Sequence, residues 1–327
     1  MDLTFLKKRV IPIVLILLVI VGVNLLTTDY VLTILNLVLI YFIGALGISV
    51  LMGMTGLMML ASAAFMGIGG FISANLALRF GVPVWLSIIL AMILTGIIGA
   101  LIGSALVKLS GAFFAFATLG LSQIVAVFLT NYRPFTGGPD GLQRIPTLAL
   151  FGFEFTTLTQ WFNLLCVLCL VTALLIERIR NTKLGRSLEA IRDNDVAAQT
   201  LGINVYITKI YAFIIASVLA AFSGALIAHH NSVISASLFS QVTSFKWFMM
   251  VMVGGVNSTI GTFLGTLIFT IVPEALRFTR LYINVIYGVI IILMMIFLPD
   301  GLIGLVKDVW RKISVRRDKK GEAYANN

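Results

Sequence analysis

Few residues in this chain have the type and spacing for chemistry. Cys166 and Cys169, with two residues between them, have the spacing of a redox or metal-binding pair. They lie inside an apolar run with no acid or histidine beside them, so they read as two buried thiols. His229-His230 closes another apolar run and reads as an interfacial pair rather than a metal site. Gly67-Ile-Gly69-Gly70 is no dinucleotide fingerprint, because no strand–helix unit surrounds it. Like Gly96, Gly99 and Gly103, and like Gly261 and Gly265, it lets helices approach closely in a membrane. Glu274 and Arg277 stand at helical spacing and read as satisfying each other. No phosphate-binding loop, Ser/His/Asp arrangement or metal-ligand set stands out, so the chain is read as non-catalytic.

What does stand out is a polar island, 177–209, ERIRNTKLGRSLEAIRDNDVAAQTLGINVYITK. It carries Arg178, Arg180, Lys183, Arg186, Arg192 and Lys209, interleaved with Glu177, Glu189, Asp193 and Asp195. A charge at a bilayer centre costs about 2.5–3.5 kcal/mol, so this stretch belongs in water. Its excess of Lys and Arg places it on the cytoplasmic side. Leu184, Leu188, Ile191, Val196 and Leu201 fall near helical spacing, and Gly202 is a natural stop, so a helix is expected from about Arg186 to Gly202. Such a helix either lies on the lipid surface or presses on a partner.

The elements around the island are membrane spans. Of 327 residues, 60% are hydrophobic and 11% charged, against about 25% charged in soluble domains. Apolar runs cover 10–26, 31–52, 57–78, 84–107, 113–130, 158–176, 210–228, 245–256, 260–276 and 283–298. A bilayer crossing takes about 20 residues, and in lipid a helix satisfies its own backbone. The expectation is an all-α polytopic membrane protein of about ten transmembrane or re-entrant helices, forming one domain over 1–327. The run 245–256 is short and either spans or re-enters. The first run is read as a span rather than a leader, because no small-residue cleavage site clearly follows it. With ten spans, 17 of the 23 Lys and Arg fall on the island's side and 6 on the other. That asymmetry is the one the positive-inside rule demands, with both termini, the loop 177–209 and the basic tail 307–327 cytoplasmic and the loop 131–157 extracytoplasmic. The net charge of +10 therefore reports topology and anionic headgroups, not nucleic acid.

The span interiors hold almost no ionisable groups; Asn36, Asn75, Gln123 and Asn163 are the polar exceptions. An ion-coupled transporter binds its ion with such groups. Energy for uphill transport would then come from outside the chain, with the island as its port of entry. A passive channel and an ion-coupled secondary transporter are the readings of other classes, and nucleotide-binding partners or ion-driven uptake would tell them apart.

Ala197-Ala198-Gln-Thr-Leu-Gly202-Ile203 resembles the Ala-Ala-x3-Gly core of the cytoplasmic "EAA" loop of bacterial ABC importer permeases. Leu184-Gly-Arg186 and Ala190-Ile-Arg192-Asp-Asn-Asp195 resemble the branched-chain amino-acid branch, the LivM type. So do Gly53-Met-Thr-Gly56-Leu, Ser62 to Gly69, Phe116-Ala-Thr118-Leu-Gly120, Thr136-Gly-Gly138-Pro-Asp140-Gly141, Gly254-Gly255, Pro273-Glu274 and Pro299-Asp300-Gly301-Leu302. The resemblance covers nearly the whole chain. It departs at Val196, where the motif usually carries Glu, and at Lys246, where an acidic residue is expected.

The resemblance implies one of two different permease subunits in the bacterial cell membrane. Two ATP-binding subunits would dock from the cytoplasm, holding the ATP and Mg, and an extracytoplasmic solute-binding protein would deliver substrate. The permease itself would need no cofactor. Arg186, Glu189, Arg192, Val196, Ala197, Ala198 and Gly202 would form the ATPase-coupling surface. Thr136, Gly137, Gly138, Asp140, Gly141 and Lys246 would lie on the gate or binding-protein side, with Asp140 capping nearby amides and Lys246 near the outer end of its segment. Leucine, isoleucine and valine are the implied solutes; a related permease for urea or short amides reads much the same.

Overall fold

The computed structural model describes residues 28–150 and 152–275. The expected first and tenth runs, the tail and Arg277 lie outside them. Helix α1 is Asp29–Thr55, α2 Ser62–Phe80, α3 Val84–Leu106 and α4 Ala112–Asn131. After a loop come α5, Leu158–Arg180, then α6, Lys183–Asp193, and α7, Asp195–Thr200. The described chain closes with α8, Val205–Asn231, α9, Gln241–Gly254, and α10, Thr259–Ala275. Among the described residues, six helices are long and apolar enough to cross a membrane: α1, α2, α3, α4, α5 and α8. The chain is a mostly helical, multi-pass membrane protein.

From Val38 to Thr55 every residue of α1 but Tyr41 is buried, which fits a helix that is apolar all round and belongs at the centre of a bundle. Around it stand α5, α8, α9 and α10. Small residues set the distances. A Cβ on Gly69 would fall 2.4 Å from Ala221, and one on Gly224 would fall 1.9 Å from the Met66 carbonyl, so α2 and α8 touch backbone to backbone. Gly265 meets the Met250 carbonyl in the same way, which draws α10 onto α9. The bare Cα of Gly44 makes room for the buried Trp247 ring. The expected close-packing role of Gly67, Gly69, Gly70, Gly96, Gly99, Gly103, Gly261 and Gly265 is what the structure shows.

Long-range hydrogen bonds fix which helix ends share a side. Arg192 of the island donates to the Gly53 carbonyl near the end of α1 (2.8 Å), and Tyr206 donates to the Ser104 carbonyl in the last turn of α3 (2.9 Å). Thr259, opening α10, donates to Glu177 near the end of α5. At the opposite side Tyr30 opens α1 and donates to Glu274 near the end of α10 (2.6 Å). There too the Asn75 amide, near the end of α2, donates to the Phe135 carbonyl just after α4 (2.8 Å). Consecutive long helices therefore alternate in direction.

Two crossings are broken. Gly56, at φ 72°, ends α1, and α2 begins only at Ser62, so the expected span from 57 starts with non-helical residues, 57–61. The Leu60 amide donates to Thr118 Oγ1 (3.1 Å) and the Ala63 amide to Ser244 Oγ (3.1 Å) instead of to a helix carbonyl. Ser244 in turn bonds Ser122, half-way along α4 (3.2 Å). The first turn of α9 is thus level with the middle of α4. Its other end is at Gly53, whose Cβ position lies 2.5 Å from the Val256 carbonyl. The short run expected at 245–256 accordingly supplies only the island-side half of a crossing. The other half is irregular, residues 232–240, with a short 3-10 turn at Ala236–Phe239.

The loop after α4 carries three of the described strands, and the fourth follows α8. β1, Leu142–Gln143, pairs antiparallel with β4, Val233–Ile234, in register Leu142↔Ile234. β2, Ala149–Leu150, and β3, Phe153–Glu154, form a hairpin.

Candidate functional site

The island is two helices, not the single one expected from Arg186 to Gly202. Asn194 leaves the helical conformation (φ −162°, ψ 113°), and its side chain accepts from the amides of Val196 (2.9 Å) and Ala197 (3.1 Å). This is an N-cap, and an asparagine there competes with continuation of the preceding helix. Gly202, at φ 79°, follows the end of α7 with open space beyond its Cα, so it serves the turn and not a close contact.

One face of the island grips its own subunit. Gly185, Leu188 and Ile191 of α6 are buried, and a Cβ on Gly185 would fall 2.2 Å from the Arg180 carbonyl at the end of α5. Ala198 is buried in α7. Lys209, itself buried, holds Asp195 at 2.6 Å, and Arg192 reaches Gly53. The other face points away. Arg186, Glu189 and Ala197 are exposed, and Val196 and Leu201 are 70% and 76% exposed. Of the seven residues expected to couple, Arg186, Glu189, Val196, Ala197 and Gly202 share the open side. Ala198 turns inward, and Arg192 spends its guanidinium on the core. The missed member is Leu201, whose helical spacing was visible but which was not counted among the coupling residues.

The opposite loop is built on glycine. Thr136 ends a single helical turn, Arg133–Thr136, and Gly137, Gly138 and Gly141 follow at φ 76°, 71° and 70°. A Cβ on Gly137 would fall 2.1 Å from the Gly141 carbonyl, and one on Gly141 would fall 2.1 Å from the Ile234 carbonyl. The capping side chain is Thr136, not Asp140 as expected. Its hydroxyl donates to the Tyr132 carbonyl (3.0 Å) and accepts from the Gly138 amide (3.1 Å). Asp140 is exposed.

Lys246 lies near the outer end of its segment, as expected, but that end is at mid-depth. It lies two residues past Ser244, deeper than the glycine loop, with Nζ 5.3 Å from the centre of the Tyr41 ring half-way along α1. A cation over a ring face is attracted by its quadrupole. Trp247 meets the same ring edge-on at 5.8 Å.

The remaining polar groups are structural. His229, buried, bonds Ser73 (2.8 Å) through Nε2 and the Pro146 carbonyl (2.8 Å) through Nδ1, which ties α8 to α2 and to the loop after α4. His230 bonds Asn36 (3.2 Å). Cys169 is buried against the Leu39 carbonyl, and Cys166 is half-buried. Among the described residues no cluster of His, Cys, Asp and Glu could hold a metal ion.

Comparison with known proteins places this chain. Residues 30–298 match the family described as branched-chain amino acid transport system / permease component, and the chain belongs to that family. It is 31% identical over 295 residues to the high-affinity branched-chain amino acid transport system permease protein LivM of Escherichia coli, covering 83% of this chain and 69% of that one. It is 28% identical over 251 residues to the probable branched-chain amino acid transport permease LivM of Methanocaldococcus jannaschii, covering 72% of each. It is also 24% identical over 265 residues to the autoinducer 2 import system permease LsrC of Yersinia pseudotuberculosis, covering 78% of this chain and 70% of that one. No solved structure matches.

Proposed function

We propose that this chain is one of two permease subunits of an ATP-driven importer for leucine, isoleucine and valine. The observation that carries this reading is the two-faced island. One face is bonded to the ends of α1, α5 and α8, and the other presents Arg186, Glu189, Val196, Ala197 and Leu201. An exposed pair of large apolar side chains framed by charges is the composition of a docking surface. Its occupant is a cytoplasmic ATP-binding subunit, one of two, which carry the ATP and Mg. A second permease subunit completes the pore, and a solute-binding protein docks over the glycine loop. Ten passes with both termini on the island's side are supported by the alternation of the described helices and by the apolar runs 10–26 and 283–298. The solute class is supported by the names of the LivM relatives as branched-chain amino acid permeases and by a bundle nearly free of ionisable groups. Vesicles containing this chain and its partners test it directly. Labelled leucine should accumulate on addition of ATP and binding protein, and accumulation driven by an ion gradient without ATP would refute it.

A further inference from the structure

Among the described residues, Lys246 is the one charged side chain in the middle of the bundle. Lys209, buried toward the island, is paired with Asp195 (2.6 Å). Lys246 is not paired. Among the described residues its ammonium meets no hydrogen-bond acceptor and no acid within ion-pair distance. The acid whose charge reaches it, Glu274 of α10, accepts from Tyr30 instead (2.6 Å). The Tyr41 ring, 5.3 Å away, attracts the charge through its quadrupole but gives the three N–H donors no oxygen. An ionisable group at this depth pairs with another or faces a water-filled cavity.

The surroundings of Lys246 form a recess. From Val38 to Thr55 the central helix α1 is buried everywhere except at Tyr41. Outward from Tyr41 the same face of α1 is partly open, through Leu37, Ile34, Thr33 and Tyr30 at helical spacing. It is open because α9 starts only at Gln241 and runs along the island-side half of α1 alone. Val242, one turn before Lys246 on the same face of α9, is 63% exposed. Toward the island, the Trp247 ring lies on the bare Cα of Gly44, and α1 is buried from there to Thr55. The recess therefore opens toward the side of the glycine loop and ends, at mid-depth, on an ammonium.

We infer that Lys246 binds the carboxylate of the passing amino acid at mid-depth, with Leu37, Ile34 and Val242 taking its aliphatic side chain. A carboxylate only accepts and an ammonium only donates, so this contact satisfies donors that the described chain leaves unmet. An acidic side chain of the second permease subunit would satisfy them too, and the test separates the two. That the carboxylate belongs to leucine, isoleucine or valine rests on the function proposed above; the recess and its cation do not.

The test uses the whole transporter in membrane vesicles, with Cys166→Ala and Cys169→Ala removing the native thiols of this chain. Lys246→Cys is treated with 2-bromoethylamine, which rebuilds an ammonium of the same reach, or with 1-bromopropane, which adds the same bulk without the charge. Lys246→Cys should lower leucine uptake, driven by ATP and binding protein, at least about tenfold, the worth of one charge-assisted hydrogen bond. Aminoethylation should restore most of that uptake and propylation none. Unchanged uptake in Lys246→Cys, or equal recovery with both reagents, means a packing role and overturns the inference. The charged reagent needs a thiolate in water; no adduct by mass spectrometry means that no wet recess is there, and overturns it too. Lys246→Met keeps the length without the charge, and should assemble normally while losing uptake. Loss of the second permease subunit from the purified Lys246→Met complex marks an ion pair between subunits and overturns the inference. The parent with Lys246 intact receives the same reagents, so that effects on other subunits are subtracted. If that parent imports none of leucine, isoleucine and valine, the proposed solute fails; ready aminoethylation of Lys246→Cys then still upholds the recess, and its absence overturns it.

Discussion

Arg192 and Gly53, 139 residues apart, are joined by a 2.8 Å hydrogen bond from the guanidinium to the backbone carbonyl. The bond ties the island to the end of α1, at the point where the turn between α9 and α10 also packs on Gly53. A push on the island is thereby delivered to the central helix and to a broken crossing. Arg192→Ala should leave the assembled complex intact and reduce ATP-driven uptake several-fold, since a charge-assisted hydrogen bond is worth about 1.5–3 kcal/mol when buried and less at this half-open site. Uptake per ATP hydrolysed is the quantity to measure. An unchanged ratio would mean that the bond carries no motion.

Ala197 and Ala198 are neighbours with opposite surroundings, one exposed and one buried. Ala198→Leu should overpack the seam between α7 and the bundle and destabilise it by about 1–3 kcal/mol, read as a lower melting temperature in detergent. Ala197→Leu should leave the melting temperature alone and weaken association with the ATP-binding subunit. Gly202→Asp should act like Ala197→Leu in assembly, with an added backbone cost at φ 79°.

At the opposite side, Gly137→Ala and Gly141→Ala each put a methyl group against a carbonyl at a positive φ, and should each lower stability by several kcal/mol or prevent assembly. Asp140 touches none of this, so Asp140→Cys should assemble normally and be labelled by an impermeant thiol reagent from outside the cell. Labelling from the cytoplasm alone would overturn the topology.

Much of this was legible in the sequence for plain physical reasons. Long apolar runs bounded by Lys and Arg read as spans, and the island's charges kept it out of them. Glycines at helical spacing in such runs have packing as their ordinary use, and Gly69 and Gly265 follow it. The two broken crossings were hidden because apolar residues satisfy a hydropathy pattern whether helical or not. Leu57 to Ala61 leave the helix on account of Thr118 and Ser244, residues far away in sequence. The split at Asn194 had a local signal, a capping residue inside a helical period, which the apolar spacing outweighed. Lys246 does lie near the outer end of its short run, but the depth of that end was hidden; only the bond from Ser244 to Ser122 reveals the level.

Lys246 stands where a carboxylate is expected, and over the Tyr41 ring its charge is held by the aromatic face rather than by headgroups. A cation–π contact contributes about 0.5–2 kcal/mol. Lys246→Glu reverses the local charge and should shift uptake from anionic or zwitterionic solutes toward neutral ones in a panel of substrates. Unchanged rates across the panel would leave Lys246 a packing residue.

The central claim is that the open face of the island seats an ATP-binding subunit. A photo-crosslinking side chain at Val196, 70% exposed beside Leu201, tests it in intact cells. The account predicts a covalent adduct with the ATP-binding subunit, lost when Gly202→Asp is added. A crosslink to lipid alone, with ATP-driven uptake intact, would contradict it.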